Sequence, residues 1–250
     1  MEPILRMENV TKAFGGNIAV KSVTAELYKG EILGMIGPNG AGKTTLFNCV
    51  AGYHKTTSGH IYLHDKEITN LDPHKICQMG IARTFQIVKP FGLLTSVENV
   101  MVGSMNHESN YANAREQAWE YIKFVGLENV ANKTVGSLNI GDQRKIEMAR
   151  ALATKPEILL LDEIMAGLTP TESEGVMALI RKIRDSGITI YMVEHIMSAV
   201  MSLSDRIVVL VEGALAATGT PEEVSQNETV IEAYFGSDFV EESHDKEANA

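Results

Sequence analysis

The sequence predicts an α/β fold: a parallel sheet with helices, an N-terminal antiparallel β part and an inserted helical subdomain. Three observations predict it. From Ile158 onward, apolar strand runs alternate with helix-periodic stretches, the pattern of a parallel sheet covered by helices. The first part of the chain carries short strand runs between Gly, Lys and Asn breaks. Between about Thr95 and Val135 strand signals vanish and helical spacing takes over.

Taken in order, Ile4 to Val10, Val20 to Leu27 and Glu31 to Ile36 are β-branched and apolar runs, hence strands, and His60 to Leu63 follows the Ser58-Gly59 break as another. Pro73 opens a short helix that ends at Gly80, and Ile81 to Phe85 is the next strand. Ala118, Tyr121, Ile122 and Val125 recur at i, i+3, i+4, i+7, one face of a helix. Ile158 to Leu161 is a continuous apolar run, as expected of a strand buried on both faces. Val176, Leu179, Ile180 and Ile183 mark a helix, and Ile188 to Val193 and Ile207 to Val211 mark two further strands. From Ser237 the tail carries Asp238, Glu241, Glu242, Asp245 and Glu247 and is expected to be mobile.

Composition bounds the function. A chain of 250 residues with 44% hydrophobic and 22% charged residues has enough apolar surface to build a core, which excludes disorder and fibrous repeats. Its longest apolar runs fall far short of the roughly 20 residues that cross a bilayer as a helix. With 32 Asp+Glu against 22 Lys+Arg the net charge is −10, which repels phosphate backbones and argues against nucleic acid as a partner. The two cysteines, Cys49 and Cys77, have no metal-ligand spacing, and Met1-Glu2-Pro3-Ile4-Leu5 lacks a basic start and long apolar core. The expectation is a reduced, cytoplasmic protein to which other chains supply any membrane spans.

The strongest local signal is Gly37-Pro38-Asn39-Gly40-Ala41-Gly42-Lys43-Thr44, which fits G-x-x-x-x-G-K-[ST] between a strand and the helix begun by Lys43 and Thr45. A phosphate chain needs converging backbone N–H groups, and glycines let the backbone come close. The helix directs its positive dipole end at the phosphates, the Lys43 ammonium reaches them, and the Thr44 hydroxyl is a Mg²⁺ ligand. A second signal, Ile158-Leu159-Leu160-Leu161-Asp162-Glu163, is a buried strand ending in two acids. In phosphate-loop ATPases an Asp there helps hold Mg²⁺, and a Glu one residue on polarises the attacking water.

Together these residues resemble the ATP-binding-cassette (ABC) ATPase family over residues ~4 to 236. Leu138-Asn139-Ile140-Gly141-Asp142-Gln143-Arg144, ahead of a helix over Lys145 to Thr154, stands in the place of the family signature Leu-Ser-Gly-Gly-Gln. Asn139 replaces its Ser, Ile140 a Gly and Asp142 its Gln, while Gly141 is retained; Ile164 stands where a Pro commonly follows the catalytic Glu. The resemblance makes Gln86 the glutamine-loop residue, Ala166-Gly167-Leu168-Thr169 the dimer-contact loop, His195 the switch histidine and Phe14 the aromatic that stacks on adenine. Within the family the chain looks most like the ATP-binding subunit of branched-chain amino acid importers. The segments that carry this are Ile81-Ala82-Arg83-Thr84-Phe85-Gln86, Gly141 to Glu147, Glu163 to Leu168, Val193-Glu194-His195 and Val230 to Gly236. Urea and amide importers share these features, and the lipopolysaccharide-export ATPase ends similarly.

The resemblance implies a phosphate-loop ATPase core over 1–86 and 141–236, a helical insert over about 87–140 and an acidic tail over 237–250. It implies ATP and Mg²⁺ as ligands. Lys43, Glu163 and His195 are then catalytic. Phe14, Gly37, Asn39, Gly40, Gly42, Lys43, Thr44, Thr45, Gln86, Asn139 and Gly141 bind nucleotide, and Thr44, Gln86 and Asp162 serve the metal. It implies an ATP-driven dimer with a copy or a sister ATPase, transmembrane permease subunits docking near Gln86 to Val100, a solute-binding protein contacted indirectly, and a place on the inner face of the cell membrane. The alternative from another class is a soluble ABC ATPase of the iron–sulfur assembly type.

Overall fold

The computed structural model describes residues 2–86 and 89–235; the acidic tail over 237–250 lies outside them. The chain forms two compact units, one of Met1–Asn70 with Met192–Ala250, the other of Leu71–Tyr191.

The first unit opens with β1 (Pro3–Phe14), β2 (Asn17–Tyr28), β3 (Ile32–Ile36), α1 (Lys43–Val50), β4 (Ser58–Leu63) and β5 (Lys66–Glu67). Four of the strands form an antiparallel sheet in the order β2-β1-β4-β5, with β1 paired to β2 from Pro3 opposite Tyr28 to Phe14 opposite Asn17 and the register shifting on the way, as between Met7 and Val10. The predicted strands are present, and β1, β2 and β4 are longer than expected. Strand β3 starts at Ile32, one residue later than expected, because the Glu31 carboxylate instead accepts from the Tyr28 N–H at 2.6 Å and pairs with Arg206 at 2.7 Å. All five residues of β3 are buried, the composition of a strand covered on both faces.

The second unit contains α2 (Pro73–Gln78), β6 (Ile81–Arg83), α3 (Ser96–Ser104), α4 (Tyr111–Phe124), α5 (Ile140–Leu152), β7 (Ile158–Asp162) and α6 (Pro170–Asp185), and β8 (Thr189–Val193) leads back to the first unit. Strands run in the order β8-β7-β6, with Ile81, Ala82 and Arg83 parallel to Ile158, Leu159 and Leu160. Strand β6 is shorter than the expected Ile81 to Phe85. Thr84 N–H still bonds Leu160 O at 2.9 Å, but the N–H and C=O of Phe85 are taken by Glu147 and Arg144 side chains. The predicted stripe of α6 (Val176, Leu179, Ile180, Ile183) is its buried face, and Ala118 and Ile122 are the buried centre of α4. Helix α6 also has a Thr169–Glu172 capping box, Pro170 in its first turn, and Lys182 and Arg184 in its last, so caps and charges all agree with the macrodipole.

Helix α5 corrects the sequence reading. It begins at Ile140, not Lys145, because the Asn139 side chain accepts the Asp142 N–H at 2.8 Å and caps it. The signature segment is therefore the cap and first turn of the helix rather than a loop ahead of it.

Back in the first unit come α7 (Met197–Leu203), β9 (Arg206–Val211), β10 (Ala214–Gly219), α8 (Pro221–Ser225) and α9 (Glu228–Phe235). Strand β9 lies parallel to β3, and β10 folds back on β9 through the two-residue turn Glu212-Gly213 with φ of 48° and 85°. Positive φ at both turn residues gives the twist that matches two paired strands.

Candidate functional site

In the first unit β3 delivers the chain into the loop 37–42, which feeds α1. Gly42 is the helix N-cap with φ 92°, and a Cβ there would lie 2.2 Å from Ala19 O; at Gly37 it would lie 2.1 Å from Leu210 O. Only glycine fits either place. The N-terminus of α1 receives no side-chain cap. It opens into a cavity of ≈ 150 Å³ lined by Gly40, Ala41, Gly42, Lys43, Thr44 and Thr45. An uncapped helix start at the end of a glycine loop is an anion cradle, its N–H groups and dipole both favouring phosphate. Lys43 is buried, its Nζ donating to Gly37 O at 2.7 Å and Pro38 O at 3.0 Å. Asn39, Gly40 and Thr44 are exposed at the rim and Thr45 is half-buried.

Phe14 ends β1 with 46% of its surface open, edge-on to His54 at 5.3 Å and under the Lys12 ammonium at 4.6 Å. His195 stands exposed between β8 and α7. Sequence reasoning missed Tyr234 of α9, whose hydroxyl hydrogen-bonds the backbone of Gly37. Burial pushes that hydroxyl up and the Gly37 bond pulls it back. The Tyr-Phe-Gly ending flagged the segment but not its target.

In the second unit β7 ends on Asp162, buried and ion-paired through Oδ2 to Arg83 Nη2 at 3.1 Å. Burial pushes the Asp162 carboxyl up; Arg83 pulls it down, Glu163 raises it and Arg144 lowers it. Its Oδ1 is buried with no hydrogen-bond partner among the described residues. A buried orphan carboxylate oxygen is costly unless a cation completes it, so the residues present fit a divalent metal. Glu163 follows with φ 45°, a left-handed conformation that a residue with Cβ holds only when its surroundings impose it, and its Oε2 accepts from Gln86 Nε2 at 2.6 Å. The structure thus brings Gln86 and Glu163 together. Arg83 was quoted in the sequence motif, but its pairing to a carboxylate 79 residues on had no local signal.

Asn139 and Gly141 lie at the head of α5, beside a cleft of ≈ 200 Å³ also lined by Asp142, Lys145 and Glu172. The Asn139 amide donates to Asp142 Oδ2 at 3.1 Å.

Comparison with known proteins follows the same lines. The family profile described as ABC transporter matches residues 20–166, and that described as branched-chain amino acid ATP-binding cassette transporter matches residues 215–240. BraF of Pseudomonas aeruginosa, a high-affinity branched-chain amino acid transport ATP-binding protein, is 42% identical over 94% of this chain and 98% of its own. Among solved structures, the ADP conformation of MJ1267, an ATP-binding cassette of an ABC transporter, superposes with TM-score 0.86 at 30% identity, covering 95% of this chain and 100% of that one. The dimeric structure of MJ0796, a bacterial ABC transporter cassette, gives TM-score 0.78 at 28% identity, covering 87% of this chain and 98% of that one. The loop, the acid-ended strand and these likenesses agree, and the chain belongs to the ABC transporter family, as an ATPase of its branched-chain amino acid ATP-binding cassette branch.

Proposed function

We propose that this ATPase powers uptake of branched-chain or related amino acids through partner membrane subunits. The ATPase chemistry is carried by one observation, the uncapped start of α1 opening into a glycine-lined cradle with Lys43 in its wall. The cargo rests on the likeness to BraF over nearly the whole chain.

In this reading the loop N–H groups of Gly37, Asn39, Gly40 and Gly42, with Lys43, Thr44 and Thr45, bind the phosphates, and Phe14 stacks on adenine. Lys43 exchanges its two loop carbonyls for phosphate oxygens, which are stronger acceptors. Thr44, Gln86 and Asp162 would hold Mg²⁺, which when bound would neutralise phosphate charge. Glu163 orients and deprotonates the attacking water, with Gln86 fixing its carboxylate. His195 stabilises charge developing on the γ-phosphate. Asn139 and Gly141 present the head of α5 to the nucleotide of a second cassette, a copy or a sister, so hydrolysis releases the bridge between two protomers.

Residues 1–236 act as one ABC ATPase domain, with 87–140 as the helical insert. Phe91, Leu93, Val102 and Met105 are exposed, Leu93 to 95%, and this apolar group in the second unit supplies the docking area for a permease. No helix among the described residues is long and apolar enough to cross a membrane. In this reading the permease holds the chain as a peripheral subunit on the inner face of the cell membrane. A solute-binding protein acts through the permease.

Glu163→Gln tests the mechanism. It retains MgATP binding, loses hydrolysis by at least about a hundredfold and accumulates as an ATP-bound dimer in size-exclusion chromatography. Undiminished turnover removes Glu163 from its role. Vesicles reconstituted with this chain and the membrane subunits that copurify with it test the cargo: ATP-dependent uptake of leucine, isoleucine or valine supports it, and uptake of urea or amides alone replaces it.

A further inference from the structure

We propose that Arg144, Glu147 and Arg150 are positioning residues that fasten the backbone around Gln86 to α5, so that the helix headed by Asn139 and Gly141 sets where the Gln86 amide meets Glu163. The three side chains are spaced i, i+3, i+6 on one face of α5. Arg144 donates from Nη1 to Phe85 O at 2.8 Å and from Nη2 to Gln86 O at 2.6 Å. Arg150 donates from Nη1 to Lys89 O at 3.1 Å. Glu147 accepts the Phe85 N–H at 3.3 Å and the Lys89 N–H, while both guanidiniums stand 3.8 Å from its carboxylate. Five backbone groups of one short segment are therefore satisfied by a single helix rather than by a sheet ladder.

Glu147 and Arg144 are each 3% exposed. A buried ion cluster is a poor source of stability, because apolar side chains of similar volume do as well; what it supplies is a fixed geometry. Here the geometry belongs to Gln86, whose Nε2 lies 2.6 Å from Glu163 Oε2. A 13-residue helix moves as a rigid body, so any shift of its Asn139 end is passed to the Gln86 carbonyl through the Arg144 fork. The inference rests on Glu163 being the water-orienting base.

In the full-length protein Arg144→Gln lowers kcat for ATP at least about tenfold and leaves KM within about twofold, the mark of a group that acts in the transition state rather than in binding. Arg144→Lys keeps the charge but not the fork and recovers part of the rate. Glu147→Gln weakens the acceptor and speeds hydrogen exchange at the Phe85 and Lys89 amides, with the α5 amides unchanged. Wild-type kcat in folded Arg144→Gln overturns the proposal, as does a loss confined to KM, or unchanged exchange at both amides in Glu147→Gln. If Arg144→Gln does not fold, Arg144→Lys carries the kinetic test, a several-fold fall in kcat supporting the proposal and wild-type turnover overturning it. If the wild-type protein hydrolyses no ATP, the reading of Glu163 fails, and the exchange measurement alone decides whether the clamp holds Gln86.

Discussion

The Lys43 ammonium, proposed above to bind phosphate, is buried against two loop carbonyls and so is also a strut of the loop. Lys43→Ala deletes a charge-assisted contact worth about 1.5–3 kcal/mol, so nucleotide affinity measured by calorimetry falls at least about tenfold; unchanged affinity contradicts the role of the loop. The two cysteines, Cys49 on α1 and Cys77 on α2, give a second expectation. Cys49 is 2% exposed and burial pushes its thiol up to about 11, whereas Cys77 is only half-buried. At pH 8 a thiol of that pKa is about 0.1% thiolate, the reactive form. An alkylating reagent therefore labels Cys77 well before Cys49, and mass spectrometry of the peptides reads the order; equal rates mean that the α1 environment is open. Lys43 was legible in the sequence because loop chemistry fixes its spacing to Gly37 and Gly42 over a few residues. Arg83 was not, because its partner is set by the pairing of β6 with β7, which no local spacing announces.

The same contrast holds for elements. The apolar stripes of α6 and β7 were readable because burial imposes period 3.6 on one and a continuous apolar run on the other. Strand β10, Ala-Leu-Ala-Ala-Thr-Gly, has little β propensity and is a strand through its pairing with β9 across the Glu212-Gly213 turn. The start of α5 was misplaced because Asn139 was weighed as a ligand group while its capping bond to Asp142 was overlooked. Capping also yields a pH expectation. The Thr169 backbone N–H and hydroxyl hold the Glu172 carboxyl below its usual range. A carboxylate lowered in the folded state contributes stability that is present above its unfolded value, about pH 4.3, and lost as pH falls through the lower folded value. Glu172→Gln therefore melts lower than wild type at pH 7, and the gap closes below pH 4. Thr169→Ala removes the other half of the box and costs about 1 kcal/mol at neutral pH. A gap in Glu172→Gln that stays constant with pH shows that the carboxylate takes no part in the cap.

At the scale of the whole chain, a net charge of −10 is compatible with the proposed phosphate cradle, because that cradle is built of backbone N–H groups and one buried ammonium rather than of surface charge. This separates nucleotide binding from nonspecific anion binding, and the difference is measurable as stability. A ligand that binds only the folded state stabilises it by about 2.7 kcal/mol at a hundred times its Kd. For a chain of this length each kcal/mol moves the midpoint by about 2–4 °C. Saturating MgATP on a hydrolysis-blocked Glu163→Gln background therefore raises Tm by about 5–11 °C. Lys43→Ala added to that background removes most of the shift, since the folded state then loses its preferential ligand. Inorganic phosphate, which reaches the loop but not Phe14, gives a smaller shift. A midpoint that ignores MgATP while the protein remains folded means that the cradle at the start of α1 does not take a triphosphate, and the ATPase assignment of this chain falls with it.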